Sequence, residues 1–175
     1  ITVSKDFFEI QEETSALYSV LDAVKNGGIY YRVDGTTKRE VIVNSVALMK
    51  LPESLDRNFL TEILLAREDM ASTGIGDGIA IPHVRNPVVL SIDTPYIGVC
   101  FLEKPVEFGA LDGKKVFCLF TMVSPSPRVH LRLISRLAFI LRQEEVKDAL
   151  KRKASRGEVY SLIENAEKMI SKREK

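Results

Sequence analysis

The chain has 175 residues, of which 45% are hydrophobic and 28% are charged, and its formal net charge is +1. This composition is sufficient for one buried core, and the near-neutral charge argues against direct nucleic-acid binding. No sequence run approaches the roughly 20 apolar residues that a membrane-spanning helix requires. No secretory signal opens the chain, so we expect a cytoplasmic protein.

The N-terminal residues 1–28 are predicted to be a linker, or the tail of an upstream module, that contains one helix. Leu17, Val20, Leu21 and Val24 recur at helical spacing, and Gly27-Gly28 ends the pattern. The main domain is then predicted to span residues 29–171, with residues 172–175 as a mobile tail.

Residues 29–70 predict one strand followed by two helices. The strand covers residues 29–33 and ends at the Asp34-Gly35 turn signal. Thr36 or Thr37 is the candidate N-cap of the first helix, and Asp56 is that of the second. The expected core-facing residues are Val41, Ile42, Ser45, Val46, Leu48 and Met49 in the first helix, and Leu60, Ile63 and Leu64 in the second. Arg67 falls in the last turn of the second helix.

The second half of the chain predicts strands followed by helices. Strands are expected over residues 96–102 and 116–123, and helices near 143–153 and 156–171. A longer helix begins near Arg128, with a predicted buried stripe of Leu131, Ile134, Leu137, Ala138 and Leu141. This order of elements predicts an α/β fold: a mixed β-sheet with helices on both faces.

His83 ends the most informative run of the chain, Ser-Thr-Gly-Ile-Gly-Asp-Gly-Ile-Ala-Ile-Pro-His from Ser72 onwards. Pro82 restrains the backbone that enters His83, and an imidazole is a good nucleophile near neutral pH because much of it is unprotonated. These features favour chemistry on His83. The alternative is a histidine that ends a strand and forms only local hydrogen bonds.

The glycines of this run, Gly74, Gly76 and Gly78, permit positive φ and allow backbone amides to approach an anion closely. The run lacks the Gly-Lys-Ser/Thr of a nucleotide-binding phosphate loop, and it precedes a strand instead of following one. An anion-binding loop and a simple turn therefore both remain open.

His130 is the only other histidine, and it lies near the start of the long helix beside Arg128, Arg132 and Arg136. A basic helix start can hold an anion, so both histidines are candidates to face one ligand. Exposure of the arginine stripe to water is the favoured alternative. A catalytic zinc site lacks a third ligand at suitable spacing, and a Gly-x-Ser-x-Gly elbow is missing. We therefore expect neither a metal nor a cofactor.

Arg67-Glu68, the run from Ser72 to His83, and His130-Leu131 at a helix start together resemble the enzyme IIA domain of the fructose–mannitol type (EIIA type 2) of the phosphoenolpyruvate-dependent sugar phosphotransferase system. This family includes a nitrogen-regulatory branch, and the resemblance covers about residues 36–165. It implies a mixed sheet flanked by helices. It also implies that His83 accepts a phosphoryl group from an HPr-like phosphocarrier protein, that His130 helps to hold this group, and that Arg67 lies nearby. Thr73, Gly74 and Gly76 are the predicted phosphate-binding residues.

Val84 and Arg85 follow His83 where many relatives carry a small residue, which is expected to alter access for a partner. Because no transport domain accompanies the unit, we expect a regulatory member with a downstream phosphoryl acceptor or regulated protein. The layout is similar to bacterial proteins in which a helix-turn-helix domain precedes such a domain, and that part is expected to lie outside this chain. A homodimer is left open. The alternative function is a non-catalytic sensory or dimerisation domain of a transcription regulator.

Overall fold

The computed structural model describes residues 18–174, so the predictions for residues 1–17 lie outside the described part. Within residues 18–174 there are six α-helices: α1 Val20–Gly27, α2 Lys38–Leu48, α3 Arg57–Met70, α4 Pro127–Leu141, α5 Glu144–Lys151 and α6 Arg156–Arg173. The strands of this part are β1 Ile29–Val33, β2 Gly74–Gly76, β3 Ile79–Ala80, β4 Tyr96–Val106 and β5 Val116–Val123, and a short 3₁₀ helix covers Pro87–Leu90.

The strands form one mixed sheet in the order β1-β4-β5-β3-β2. β1 runs parallel to β4, and β3 runs parallel to β5, whereas the β4–β5 and β2–β3 pairs are antiparallel. Beyond β3, the Pro82 carbonyl accepts a hydrogen bond from the Met122 amide at 2.8 Å, and His83 forms a parallel bridge with Met122. The backbone that leads into His83 is therefore held against the central strand β5.

Two apolar clusters lie on opposite faces of the sheet, and β5 contributes alternate residues to them. Cys118, Phe120 and Met122 face the cluster that includes α1, α4, α5 and α6. Leu119 and Val123 face the cluster that includes α2 and α3. Alternation along a strand that is buried on both faces produces this arrangement. The predicted α/β fold with helices on both faces is confirmed.

Side-chain caps fix the start of the helices that flank the site. Asp56 accepts hydrogen bonds from the Asn58 and Phe59 amides at the start of α3. Ser126 accepts from the Val129 amide at the start of α4, where Pro127 occupies the first turn. Such caps satisfy amides that would otherwise lack a partner. The caps predicted from sequence at Thr37 and Asp56 are both present.

Helix α1 belongs to the same core as the sheet, although the predicted domain began only at residue 29. Val20, Ala23 and Val24 are fully buried in the cluster that contains β4 and β5. The amides of Val20 and Leu21 donate to the two oxygens of the Glu167 carboxylate, at 3.0 and 2.8 Å. The folded core therefore includes α1, because this helix packs against distant parts of the chain and two of its amides bind Glu167.

The predicted buried faces of α2 and α4 are partly wrong. Leu48 and Leu131 were expected in the core, but they are 46% and 65% exposed. The sheet-facing side of α4 is formed by Val129, Leu133, Arg136, Leu137, Ile140 and Leu141, and Ile134 and Ala138 are only half-buried. The buried stripe is thus rotated around the helix, because one of its members is a charged residue that apolar periodicity does not reveal.

Arg136 is the charged member of that stripe, and it does not face water as the sequence suggested. It is 8% exposed and donates to Glu167 and Glu174, each at 3.3 Å. α6 continues to Arg173, past the predicted domain end at residue 171, and Glu174 forms an ion pair with Arg136.

Candidate functional site

The two histidines meet at one place on the surface. Their ring centroids lie 5.1 Å apart, with the planes tilted by 43°. His83 arrives from the end of β3, and His130 lies in the first turns of α4, which follows β5 in the chain. Because β3 pairs with β5, the sheet itself brings these two elements together. The prediction that both histidines face one site is thus supported by their geometry.

The ring of His83 is held by its own backbone. Its Nδ1 lies 2.7 Å from the Ile81 carbonyl oxygen. A carbonyl oxygen only accepts hydrogen bonds, so Nδ1 must be the protonated nitrogen of the neutral ring. The lone pair is therefore on Nε2, which is the nitrogen left for nucleophilic chemistry.

Both imidazoles favour the uncharged state. Burial lowers the pKa of His83, and the nearby Arg67 guanidinium lowers it further, while the hydrogen bond to Ile81 and the charge of Glu68 act in the opposite direction. Burial, with smaller contributions from His83 and Arg67, lowers the pKa of His130 to about 4. Near neutral pH the site therefore contains two neutral rings beside one guanidinium.

Arg67 supplies the positive charge of the site from the last turn of α3. Its side chain is half-buried, and one Nη1 hydrogen bond to the Ala71 carbonyl at 2.9 Å steadies it. The capped start of α4 adds the positive end of a helix dipole close to His130. An arginine, a helix start and two neutral imidazoles form a site suited to a transient anion.

The predicted phosphate-binding residues contact other parts of the protein. The Thr73 amide and hydroxyl both donate to Glu68. A side chain added at Gly74 would meet the Ala110 side chain, and one added at Gly76 would meet the Asp112 carboxylate. Gly74 and Gly76 lie in β2, which pairs with β3. These contacts show that Thr73, Gly74 and Gly76 help to hold the local structure together. Their part in phosphate binding stays a prediction.

An apolar groove beside Arg67 escaped the sequence analysis. Its volume is about 330 Å³, and the residues that line it are Phe59, Ile63, Ala66, Arg67, Met70, Val84, Arg85 and Asn86. Phe59 and Met70 are 42% and 60% exposed, and Ile63, predicted as a core residue, is half-buried here. We call this surface the α3 groove. In the sequence, the only indication of this groove is that α3 carries apolar residues on a second side besides its core-facing side.

The fold and the paired histidines define an α/β domain with a surface site suited to a transient anion. The chain belongs to the family "Phosphoenolpyruvate-dependent sugar phosphotransferase system, EIIA 2", whose sequence profile matches residues 23–166. The family recognised from the sequence motifs is thus confirmed. The match also begins within α1, in agreement with the packing of that helix in the core.

Individual relatives agree with this assignment. The nitrogen regulatory protein of Pseudomonas aeruginosa is 38% identical over 133 residues, which cover 74% of this chain and 83% of that protein. The crystal structure of the nitrogen regulatory protein IIA-Ntr of Neisseria meningitidis superposes with a TM-score of 0.68 at 29% identity, covering 77% of this chain and 92% of that one. Enzyme IIA of the mannitol system of Escherichia coli, solved in complex with phosphorylated enzyme IIB, has a TM-score of 0.63 at 21% identity over 78% of this chain and 94% of its own. At that identity the likeness shows the fold alone.

Membrane-spanning helices and metal-binding clusters are both absent from the described residues. Among residues 18–174, no helix combines the length and the apolar character that crossing a lipid bilayer requires. The same part of the chain contains no group of three or more histidine, cysteine, aspartate or glutamate side chains arranged to hold a metal ion.

Proposed function

We propose that this domain carries a phosphoryl group on Nε2 of His83, which it accepts from an HPr-like phosphohistidine carrier in the cytoplasm. The observation that supports this most is the hydrogen bond from Nδ1 of His83 to the Ile81 carbonyl, at 2.7 Å. It leaves an unprotonated Nε2 beside His130 and Arg67. Family membership supports the proposal, because EIIA domains exchange phosphoryl groups within the phosphotransferase system.

The proposed transfer is a direct displacement between two histidines. The Nε2 lone pair of His83 attacks the phosphorus of the carrier's phosphohistidine. A new N–P bond forms as the carrier's N–P bond breaks, and the carrier ring keeps the electron pair of the broken bond. The proton on Nδ1 stays in its hydrogen bond to Ile81, so the His83 ring gains a positive charge. This step balances without a cofactor or a metal.

The surroundings of His83 suit the charge that arrives. A phosphoryl group adds roughly −1.5 to −2 charges, by analogy with other phosphorylated side chains. The Arg67 guanidinium, whose charge acts on both imidazoles, would donate charge-assisted hydrogen bonds to it, and the start of α4 offers a favourable dipole. His130 is held neutral in the free site, and its ring N–H becomes a donor to the phosphoryl oxygens.

The α3 groove is the proposed docking surface for the carrier. It lies against Arg67 and combines exposed apolar side chains such as Phe59 and Met70 with the basic Arg85. An apolar centre with a charged rim is typical of transient protein interfaces. A downstream phosphoryl acceptor would use the same face, since His83 has to meet both partners in turn. The mannitol IIA protein, which shares this fold, was solved in complex with a phosphorylated protein.

A regulatory role is proposed in preference to direct sugar transport. The similarity to nitrogen regulatory proteins, at 38% identity for the Pseudomonas aeruginosa relative, supports this choice. A downstream regulated protein belongs to the same proposal. A domain that only senses or dimerises is the alternative, and it predicts no covalent modification of His83.

The deciding experiment is phosphorylation of the purified chain. The chain is incubated with phosphoenolpyruvate, the first enzyme of the relay and HPr, and its intact mass is measured. We expect the mass of one phosphoryl group to be gained, and to be lost in His83→Ala but not in an Arg142→Ala control, since Arg142 is exposed and does not line the α3 groove. No gain by the unaltered chain would overturn the proposal in favour of the sensory alternative.

A further inference from the structure

Glu68 is a buried acidic residue that the transfer step above does not use. It is 4% exposed, and it directly follows Arg67 in α3. Neighbouring residues of a helix point about 100° apart, so Glu68 faces the interior while Arg67 faces the histidines. A carboxylate is costly to bury unless it is paired and hydrogen-bonded, so its surroundings reveal its task.

Glu68 has three donors, and two of them come from one residue. The Thr73 amide lies 2.9 Å from Oε1, and the Thr73 hydroxyl lies 2.5 Å from Oε2. The Lys38 ammonium lies 3.3 Å from Oε1 and also donates to the Phe108 carbonyl at 3.0 Å. Lys38 balances the negative charge of Glu68, and both oxygens of the Glu68 carboxylate accept hydrogen bonds from Thr73.

Further hydrogen bonds connect Thr73 to His83, the proposed nucleophile. The Thr73 carbonyl accepts a hydrogen bond from the Ile81 amide at 3.0 Å. The Ile81 carbonyl in turn accepts from Nδ1 of His83 at 2.7 Å. Pro82, between them, has no N–H with which to anchor the backbone, so Thr73 holds the Ile81 side of this segment. Hydrogen bonds, linked by the backbones of Thr73 and Ile81, thus connect Glu68 to the ring of His83.

We infer that Glu68 is a positioning residue for phosphoryl acceptance: through Thr73 it fixes the Ile81 carbonyl, which keeps the proton of His83 on Nδ1 and directs the Nε2 lone pair outward. The inference rests on the proposed function. Glu68 has a second effect on the same ring, because its negative charge favours the positive charge that the His83 ring gains when Nε2 attacks. Partners that orient a reactive imidazole are usual in metal sites, and the same logic applies here.

The test compares Glu68→Gln and Thr73→Val with the conservative Thr73→Ser in the full chain. Thr73→Val removes the hydroxyl link but keeps the carboxylate, so it separates positioning from charge. Matched controls on the same helix are Glu62→Gln and Thr61→Val. Folding of each variant is checked by circular dichroism and thermal unfolding. If Glu68→Gln does not fold, the comparison of Thr73→Val with Thr73→Ser decides alone.

Two measurements are made on each variant. The ¹⁵N chemical shifts of the His83 ring report which nitrogen is protonated, and single-turnover transfer from phosphorylated HPr reports the rate. We expect Glu68→Gln and Thr73→Val to populate the Nε2–H tautomer and to slow transfer about tenfold, since small misplacements of a reacting group are costly. Thr73→Ser and both controls should stay within about twofold of the unaltered chain, because they keep the hydrogen bonds that connect Glu68, Thr73, Ile81 and His83.

Folded Glu68→Gln and Thr73→Val proteins that keep the Nδ1–H tautomer and the native rate would overturn the inference. The tautomer measurement needs no phosphoryl donor, so it stands apart from the proposed function. A changed tautomer in a chain that accepts no phosphoryl group would support the positioning role while overturning the proposed function.

Discussion

The imidazoles of His83 and His130 lie 5.1 Å apart, and the charge that His83 carries when protonated lowers the pKa of His130. Two positive rings at this distance beside Arg67 would repel one another in a partly buried site. The free domain therefore keeps both rings neutral. A phosphoryl group on His83 reverses this balance, because it replaces a potential cation with an anion next to His130.

The titration of His130 tests this relationship. In the free domain we expect a His130 pKa of about 4, and a His83 pKa below its ordinary value, both because of burial. Phosphorylation of His83 should raise the His130 pKa, since the added anion favours the imidazolium. The pH dependence of the ring C–H signals in NMR spectra measures both values. A His130 that titrates at the ordinary pKa of a free histidine would contradict this account.

The two histidines should differ in what their loss does to transfer. His83→Ala removes the attacking nitrogen, so labelling by phosphorylated HPr should disappear. His130→Ala removes one donor to the phosphoryl group, so transfer should slow by about 100-fold but remain measurable. Rapid-quench measurements give both rates. Unchanged transfer by His130→Ala would refute the role assigned to that ring.

The pH profile of transfer tests the charge on Arg67. Only neutral His83 has a free lone pair, so the rate should fall as the pH falls through the pKa of His83. Because Arg67 lowers this pKa, Arg67→Gln should move the acid limb of the profile to higher pH. It should also reduce the maximal rate about 100-fold, since a charge-assisted donor is lost. An acid limb that does not move would show that Arg67 is electrostatically remote from His83.

The α3 groove makes a prediction about affinity. Phe59→Ser removes an exposed apolar side chain of the groove, and we expect the apparent KM for the phosphorylated carrier to rise about fivefold. The His83 pKa and the rate at saturating carrier should not change. Val43→Ser on α2, which is 39% exposed and does not line the groove, is the control. Equal effects of both substitutions would argue against docking in the groove.

The buried Arg136 makes a prediction about stability. It donates to Glu167 and Glu174, and Arg136→Met leaves the buried Glu167 carboxylate without this cation. Removal of one partner from a buried ion pair costs about 3 kcal/mol, so the free energy of unfolding should fall by that amount. Urea denaturation measures the change. Arg142→Met, at the exposed end of α4, should change it by no more than about 0.5 kcal/mol.

The strands and helices with the clearest apolar patterns were predicted correctly from the sequence. The strands over residues 29–33 and 116–123 have the predicted bounds, because both are apolar runs bounded by turn residues or by Ser-Pro. β4 extends to Val106, past its predicted end at residue 102, and its pairing with β5 becomes irregular after Phe101. A register irregularity of this kind tolerates a proline within a strand, so Pro105 was a poor signal for the end of β4.

The site was only partly predictable. The motif around His83 and the family resemblance identified His83, His130 and Arg67 as candidates, and the structure brings them into one site. Glu68 belongs to the motif, but its role could not be predicted, because its hydrogen bonds to Thr73 depend on how α3 and β2 pack together. Arg136 was misjudged for a similar reason, since a charge in an apolar stripe gives no sign of the distant Glu167 that pairs with it.

The carboxylate of Glu167 joins the two ends of the described chain. It caps the amides of Val20 and Leu21 from a position 147 and 146 residues further along. On the ribosome, α1, which contains Val20 and Leu21, emerges long before Glu167 is synthesised. Native docking of α1 must therefore wait until most of the domain has been translated, so a nascent chain stalled before α6 would leave the Val20 and Leu21 amides without the Glu167 carboxylate.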